Sequence, residues 1–154
     1  MKLNAFGDVC LRTLMLLGAD PDVQLTSKEI ADAIGIPYHH VSKAVLELRN
    51  RGALDVSRGR LGGARITETG RRMTVGELLR SLDVQPDIVE CVSGDHACPL
   101  IAGCTLRTAL NRAREAFYSE LDHFSVEQLS SKNALNLLPF PAIRPREEER
   151  SSSL

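Results

Sequence analysis

The 154-residue sequence has almost no surplus of either charge: nineteen Lys and Arg stand against twenty Asp and Glu, a net of −1. A protein that is basic from end to end is excluded, although a local basic patch is not. Long apolar runs are also missing. The opening MKLNAFGDVCLRTLMLLGADPD is interrupted by Asp8 and Arg12. It has neither the uncharged core of a signal peptide nor the roughly 18 apolar residues of a membrane span. The expectation is a cytoplasmic protein with no membrane association. Its four cysteines should then sit in a reducing compartment, where spaced Cys more often bind metal than form structural disulfides. No internal repeat, Walker loop, dinucleotide fingerprint or nucleophile–base set is present, so an enzyme reading has no residues to carry it. Finally, Lys and Arg are absent between residues 84 and 103.

What is present begins with three helical patterns. At 100° per residue Leu3, Phe6, Cys10, Leu14 and Leu17 share one face of a helix over 3–17, with Asp8 opposite, near Arg12 and Met15. Gly18 and Pro21 end it. Thr26 followed by Glu29 is a capping box opening a short helix that Gly35 stops. Pro37 is expected as the first residue of the next helix, where its missing N–H costs nothing. That helix runs to Arg51 with Val41, Ala44, Val45 and Leu48 on one face. The stretch ADAIGIPYHHVSKAV therefore reads helix, turn, helix. Leu54 and Val56 alternate ahead of a turn rich in Gly59, Gly62 and Gly63, which predicts a hairpin with a basic tip. Helix-turn-helix plus hairpin is a winged helix. Thr74 caps a further helix through Leu82. A long helix from about Cys104 to His123 carries Leu106, Leu110, Ala113, Phe117, Leu121 and Phe124 in a heptad-like stripe, about 30 Å long. The fold class is mostly α with a small β-wing: a winged helix-turn-helix domain plus a long dimerisation helix.

Two constellations carry chemistry. Between Lys43 and Arg72 eight cations face three acids, a local excess inside a chain that is nearly neutral. Phosphate contacts need such cations, and the first turns of the second helix of a helix-turn-helix reach base edges. The DNA-contacting candidates are Tyr38, His39, His40, Ser42 and Lys43 at the major groove, with Ser27 and Lys28 on the preceding helix. Arg58, Arg60 and Arg65 lie on the wing, near backbone or minor groove. The plainer reading is a solvated basic surface. The second constellation is Cys91–x6–Cys98–x5–Cys104, three thiolates suited to a thiophilic metal. Zinc in a Cys3His site with His96 competes with an iron–sulfur cluster, although zinc sites usually space their cysteines more tightly. Cys10, inside the apolar stripe, reads as a small core residue. On spacing alone Asp8 needs no role. A protein-interaction adaptor built on the long helix is the alternative from another class.

MKLNAFGDVCLRTLMLL, IADAIGIPYHHVSKAVLEL, GRLGGARIT with TVGELLRSLD, and CPLIAGCTLRTALNRAREAFYSELD together resemble the Rrf-type winged-helix iron–sulfur regulators of bacteria, in their NsrR-type branch of nitric-oxide-sensing repressors. The resemblance covers roughly residues 1–128. It implies a homodimer crossing at the long helices and bound to double-stranded promoter DNA. It also implies one iron–sulfur cluster per subunit, 4Fe–4S rather than 2Fe–2S, held by Cys91, Cys98 and Cys104. The fourth ligand would be a carboxylate from the first helix of the other chain, and Asp8 stands at the matching position. Nitric oxide is the implied signal, with an iron or redox signal as the alternative. The first Cys interval is one residue longer than usual. Arg107 stands where the cluster-assembly regulators carry His. The expected organisation is a winged-helix domain over 1–83, a cluster loop over 84–104, a dimerisation helix over 104–128 and a tail over 129–154 whose last dozen residues are disordered.

Overall fold

A computed structural model describes residues 4–83, 98 and 103–130. Residues 1–3, Cys91 with most of its loop, and the tail beyond 130 lie outside the described residues, and so do the expectations placed on them. Seven helices and one hairpin are described: α1 (Ala5–Gly18), α2 (Ser27–Ile34), α3 (Tyr38–Asn50), β1 (Leu54–Ser57), β2 (Gly63–Ile66), α4 (Glu68–Arg72), α5 (Val75–Leu82), α6 (Thr105–Leu121) and α7 (Val126–Leu129). Among them no helix is long and apolar enough to cross a membrane. The chain packs as two compact units, divided at Met73/Thr74 and at Phe124/Ser125.

The first unit holds α1 to α4, the hairpin and α7. Asn4 caps α1 by accepting from the Phe6 amide at 3.0 Å. The face expected from periodicity is the face buried: Cys10, Leu14 and Leu17 have no exposed surface. They pack with Ile30 of α2 and Val41, Ala44 and Leu48 of α3 in one core. α2 begins with the capping box read from the sequence, since Thr26 Oγ1 accepts from the Glu29 amide at 3.2 Å and the Glu29 carboxylate accepts from the Thr26 amide at 2.8 Å. Gly35 ends α2 in the left-handed region, φ +67°, which a side chain would resist. Pro37 is the N-cap of α3 and not its first helical residue. Its ψ of 137° keeps it extended, so the helix starts at Tyr38.

β1 and β2 pair antiparallel, Leu54 opposite Ile66 and Val56 opposite Ala64. A third segment joins them, because the Leu25 amide donates to the Ala64 carbonyl at 3.1 Å and the Ala64 amide returns the bond at 2.7 Å. This bridge ties the wing to the residue preceding the N-cap of α2. The short helix α4 was not expected. Thr67 starts it by accepting from the Gly70 amide at 3.0 Å while its own hydroxyl donates to the Gly52 carbonyl at 2.6 Å. A Cβ on Gly70 would collide with the Ala53 carbonyl oxygen, so only glycine lets α4 approach so closely. Three helices, a turn and a hairpin in this order make the winged helix that the sequence predicted.

The second unit is α5 against α6. Contact is close because Gly76 has no Cβ to meet the Tyr118 carbonyl or Asp122. Arg80 spans the two helices, donating from Nε to Glu115 at 2.9 Å and from Nη2 to Asp122 at 2.9 Å. Its guanidinium also lies 5.3 Å from the centre of the Tyr118 ring. The Tyr118 hydroxyl donates to Asp83 at 2.6 Å. The expected stripe on α6 is not what this contact buries. Tyr118 is buried, whereas Leu106 is 64% exposed and Phe124 is also exposed.

Candidate nucleic-acid interface and cysteine centre

The first turn of α3 projects an exposed, aromatic-rich set. Tyr38 is 59% exposed, and His39, His40 and Lys43 are exposed beside it. The His39 and His40 rings lie 4.0 Å apart, tilted by 42°. No side chain caps α3, because its N-cap is a proline with nothing to offer. The His40 amide donates to the Pro37 carbonyl at 3.0 Å, which leaves the Tyr38 and His39 N–H groups for a ligand, and an anion such as a phosphate satisfies them best. Ser42 does not join this surface. Its Oγ has essentially no accessible area and no hydrogen-bond partner among the described residues, so in this position it offers DNA no hydroxyl. Ser27 is half-buried and Lys28 exposed on the first turn of α2.

Ion pairing sorts the cations of the basic stripe into two groups. Arg51 is held by Glu47 at 2.7 Å, Arg72 by Glu68 at 2.7 Å, and Arg71 by Glu68 and Glu127. Lys43, Arg49, Arg58, Arg60 and Arg65 form no ion pair among the described residues, and neither does Lys28. From Lys28 to Arg72 the unneutralised cations are those on α2, on α3 and on the wing. Arg49, which the sequence reading counted but did not place at the interface, belongs with them. Charge counting cannot separate the groups, because pairing depends on which acid lies one helical turn away.

The wing is anchored and not a free loop. The Gln24 side-chain amide donates to Ser57 Oγ at 2.7 Å and to the Leu61 carbonyl at 3.0 Å. The turn itself closes through the Gly62 amide to the Gly59 carbonyl at 2.9 Å. Gln24 was not among the sequence candidates. A bond spanning more than thirty residues leaves no local signal.

Of the three cysteines proposed as ligands, Cys98 and Cys104 are described and Cys91 is not. Both described thiols are free and half-buried. Cys104 caps α6, its Sγ accepting from the Arg107 amide at 3.4 Å. Cys10 differs in kind. It has no exposed surface, and burial pushes its thiol up to about 12, so it stays neutral and fills the core as expected. Asp8 lies on the opposite side of α1, partly exposed, with its carboxylate 3.0 Å from Arg12 Nε. Among the described residues no three ligand-type side chains gather around one point. Two free half-buried thiols, one of them at a helix start, and an accessible carboxylate are donors of the kind an iron–sulfur cluster takes. The residues present fit that group.

In the second unit, accepting from Arg80 and Thr74 holds the Asp122 carboxyl below the usual carboxylate range. Burial and the Asp83 carboxylate raise the Tyr118 phenol to about 12.

A family described as Rrf2, iron-dependent transcriptional regulator, matches residues 3–132. The chain is 44% identical over 131 residues to the HTH-type transcriptional repressor NsrR of Streptomyces coelicolor, covering 84% of this chain and 88% of that one. It is 35% identical over 136 residues to the HTH-type transcriptional regulator NsrR of Geobacillus kaustophilus, covering 87% and 92%. Among solved structures it is similar to CymR, the global cysteine regulator of B. subtilis, with a TM-score of 0.63 at 25% identity, covering 84% of this chain and 96% of that one. T. potens IscR shares the fold at a TM-score of 0.63 and 16% identity, covering 84% and 85%.

Proposed function

The chain belongs to the Rrf2 family of transcriptional regulators, and on that premise we propose that it represses transcription as a nitric-oxide-responsive iron–sulfur protein. It is a DNA-binding regulator and not an enzyme. The observation that carries the reading is the sorting of its cations. Those on α2, α3 and the wing are left without acidic partners among the described residues, while Arg51, Arg71 and Arg72 are neutralised within the fold. Cations without an acidic partner are available to phosphates.

The proposed ligands are Cys91, Cys98 and Cys104 with Asp8 of the partner subunit, in a homodimer joined along the exposed apolar stripe of α6. A 4Fe–4S cluster held there would supply iron able to react with nitric oxide. The chain's own residues do the rest. Cys104 fixes the start of α6, and Asp8 fixes α1, whose buried face packs against α3. A carboxylate is a hard oxygen donor among soft thiolates and is the donor most readily given up. As a ligand Asp8 would couple the cluster to α1, and through the packing of α1 on α3 to the reading helix. Dimeric readers need half-sites about 34–36 Å apart, so a small rotation is enough to lose the operator. The protein is then expected to act in the cytoplasm, on promoter DNA.

The test is anaerobic purification with iron and sulfide quantification and a visible spectrum, followed by a gel shift with and without nitric oxide. Cys98→Ala should lose the colour and the response together. A Cys98→Ala protein that still binds iron and sulfide and still releases DNA overturns the proposal. Release by chelator or oxygen but not by nitric oxide identifies the signal as iron or redox instead.

A further inference from the structure

The tip of the wing carries an apolar side chain that folding does not use. Leu61 is 78% exposed, more than any other large apolar side chain among the described residues. Its backbone is nevertheless held firmly. The Gly59–Gly62 turn is closed at 2.9 Å, with Gly59 at φ +111°. A Cβ on Gly62 would run into the Ser57 carbonyl. The Leu61 carbonyl itself receives the Gln24 amide at 3.0 Å. A fixed backbone under an unburied leucine is a presented side chain, not a frayed loop. The charged residues next to it in sequence are Arg58 and Arg60, both exposed and unpaired among the described residues.

We propose that Leu61 is a wedge that enters the DNA minor groove and partly unstacks a base step, kinking the operator. The inference rests on the DNA-binding reading above. A tight turn is narrow enough for the minor groove, and its flanking arginines are drawn to the negative potential there. Apolar side chains inserted from that groove kink the duplex by about 20–90°. The residue is therefore specificity-determining without making a base hydrogen bond. It selects operators with an easily unstacked pyrimidine–purine step, TA or CA, beneath each wing. Gln24 acts as a positioning residue, holding the wedge at a fixed height.

The experiment uses the full chain and the duplex that the wild-type protein enriches from a pool of random 40-mers. Bending is read by energy transfer between dyes at the duplex ends, and affinity by titration across a range of salt. Leu61→Ala should weaken binding about tenfold and reduce the bend by about 20° or more, leaving the slope of log affinity against log salt unchanged. Leu61→Met, still apolar and long, should keep both. Arg60→Ala should instead lower the salt slope by about one. Leu61→Ala binding and bending the selected duplex like wild type overturns the wedge and leaves DNA binding intact. Weaker binding with an unchanged bend overturns it too, because Leu61 then contacts DNA without deforming it. If wild-type protein enriches no duplex, the DNA-binding reading fails and the wedge falls with it.

Discussion

Removing one unpaired cation should cost more salt dependence than removing one paired cation of equal charge. Six cations on α2, α3 and the wing have no acidic partner among the described residues: Lys28, Lys43, Arg49, Arg58, Arg60 and Arg65. Each phosphate neutralised contributes about −0.9 to the slope of log affinity against log salt. Six contacts per subunit give a slope near −5, so raising salt from about 50 to 200 mM lowers affinity by about a thousandfold per subunit. Lys43→Ala should flatten the slope by about one per subunit. Arg72→Ala is the control. It removes the same charge from a side chain that is also exposed, but one that Glu68 already holds at 2.7 Å. Its slope should stay within experimental error of wild type. The assay is fluorescence anisotropy with one labelled duplex at four or five salt concentrations, for wild type and both variants. Equal flattening by Lys43→Ala and Arg72→Ala would mean that local pairing does not decide which cations meet DNA, and would refute the reasoning.

Three further outcomes follow from the same structure. Cys10→Ser places a hydroxyl in a site with no solvent access, which should lower stability by about 1–3 kcal/mol in urea unfolding without changing iron content. Asp8→Ala should lower iron retention through anaerobic gel filtration while barely moving the melting temperature, because its exposed pair with Arg12 is worth only about 0.3–0.5 kcal/mol. Asp122 sits below its ordinary value of 3.8 in the folded chain, chiefly because Arg80 hydrogen-bonds its charged form. Its stabilising effect is thus complete above the unfolded value and lost as pH falls through the folded one. Asp122→Asn should lower stability near neutrality and flatten the loss below pH 4, seen as a smaller difference between melts at pH 7 and pH 3.

The parts legible in the sequence were those governed by neighbours along the chain. Thr26 with Glu29 announces α2 because a capping box closes within three residues. Val41, Ala44, Val45 and Leu48 announce the buried face of α3 because helical periodicity is local. The parts not legible depend on distant partners. Leu25 meets Ala64, Arg80 meets Asp122, and Tyr118 meets Asp83, none of them at a spacing that betrays the pair. The stripe on α6 was read correctly as apolar, but the sequence cannot say that Tyr118, off that stripe, is the residue α5 covers. Asp8 illustrates a different limit. Neither periodicity nor its ion pair with Arg12 distinguishes a ligand from an ordinary surface acid, and its proposed role comes from the family resemblance.

The Gln24 side chain reaches the wing from 33 residues away. The part of this protein that chooses its DNA is therefore not one uninterrupted stretch of the gene. Exchanging residues 57–63 with those of a relative transplants the hairpin but leaves behind the amide that sets its height. A regulator rebuilt to read a new promoter should take position 24 from the same donor as its wing. Lineages that diversify their operators by altering the hairpin face the same linkage, with two separated codons under joint selection.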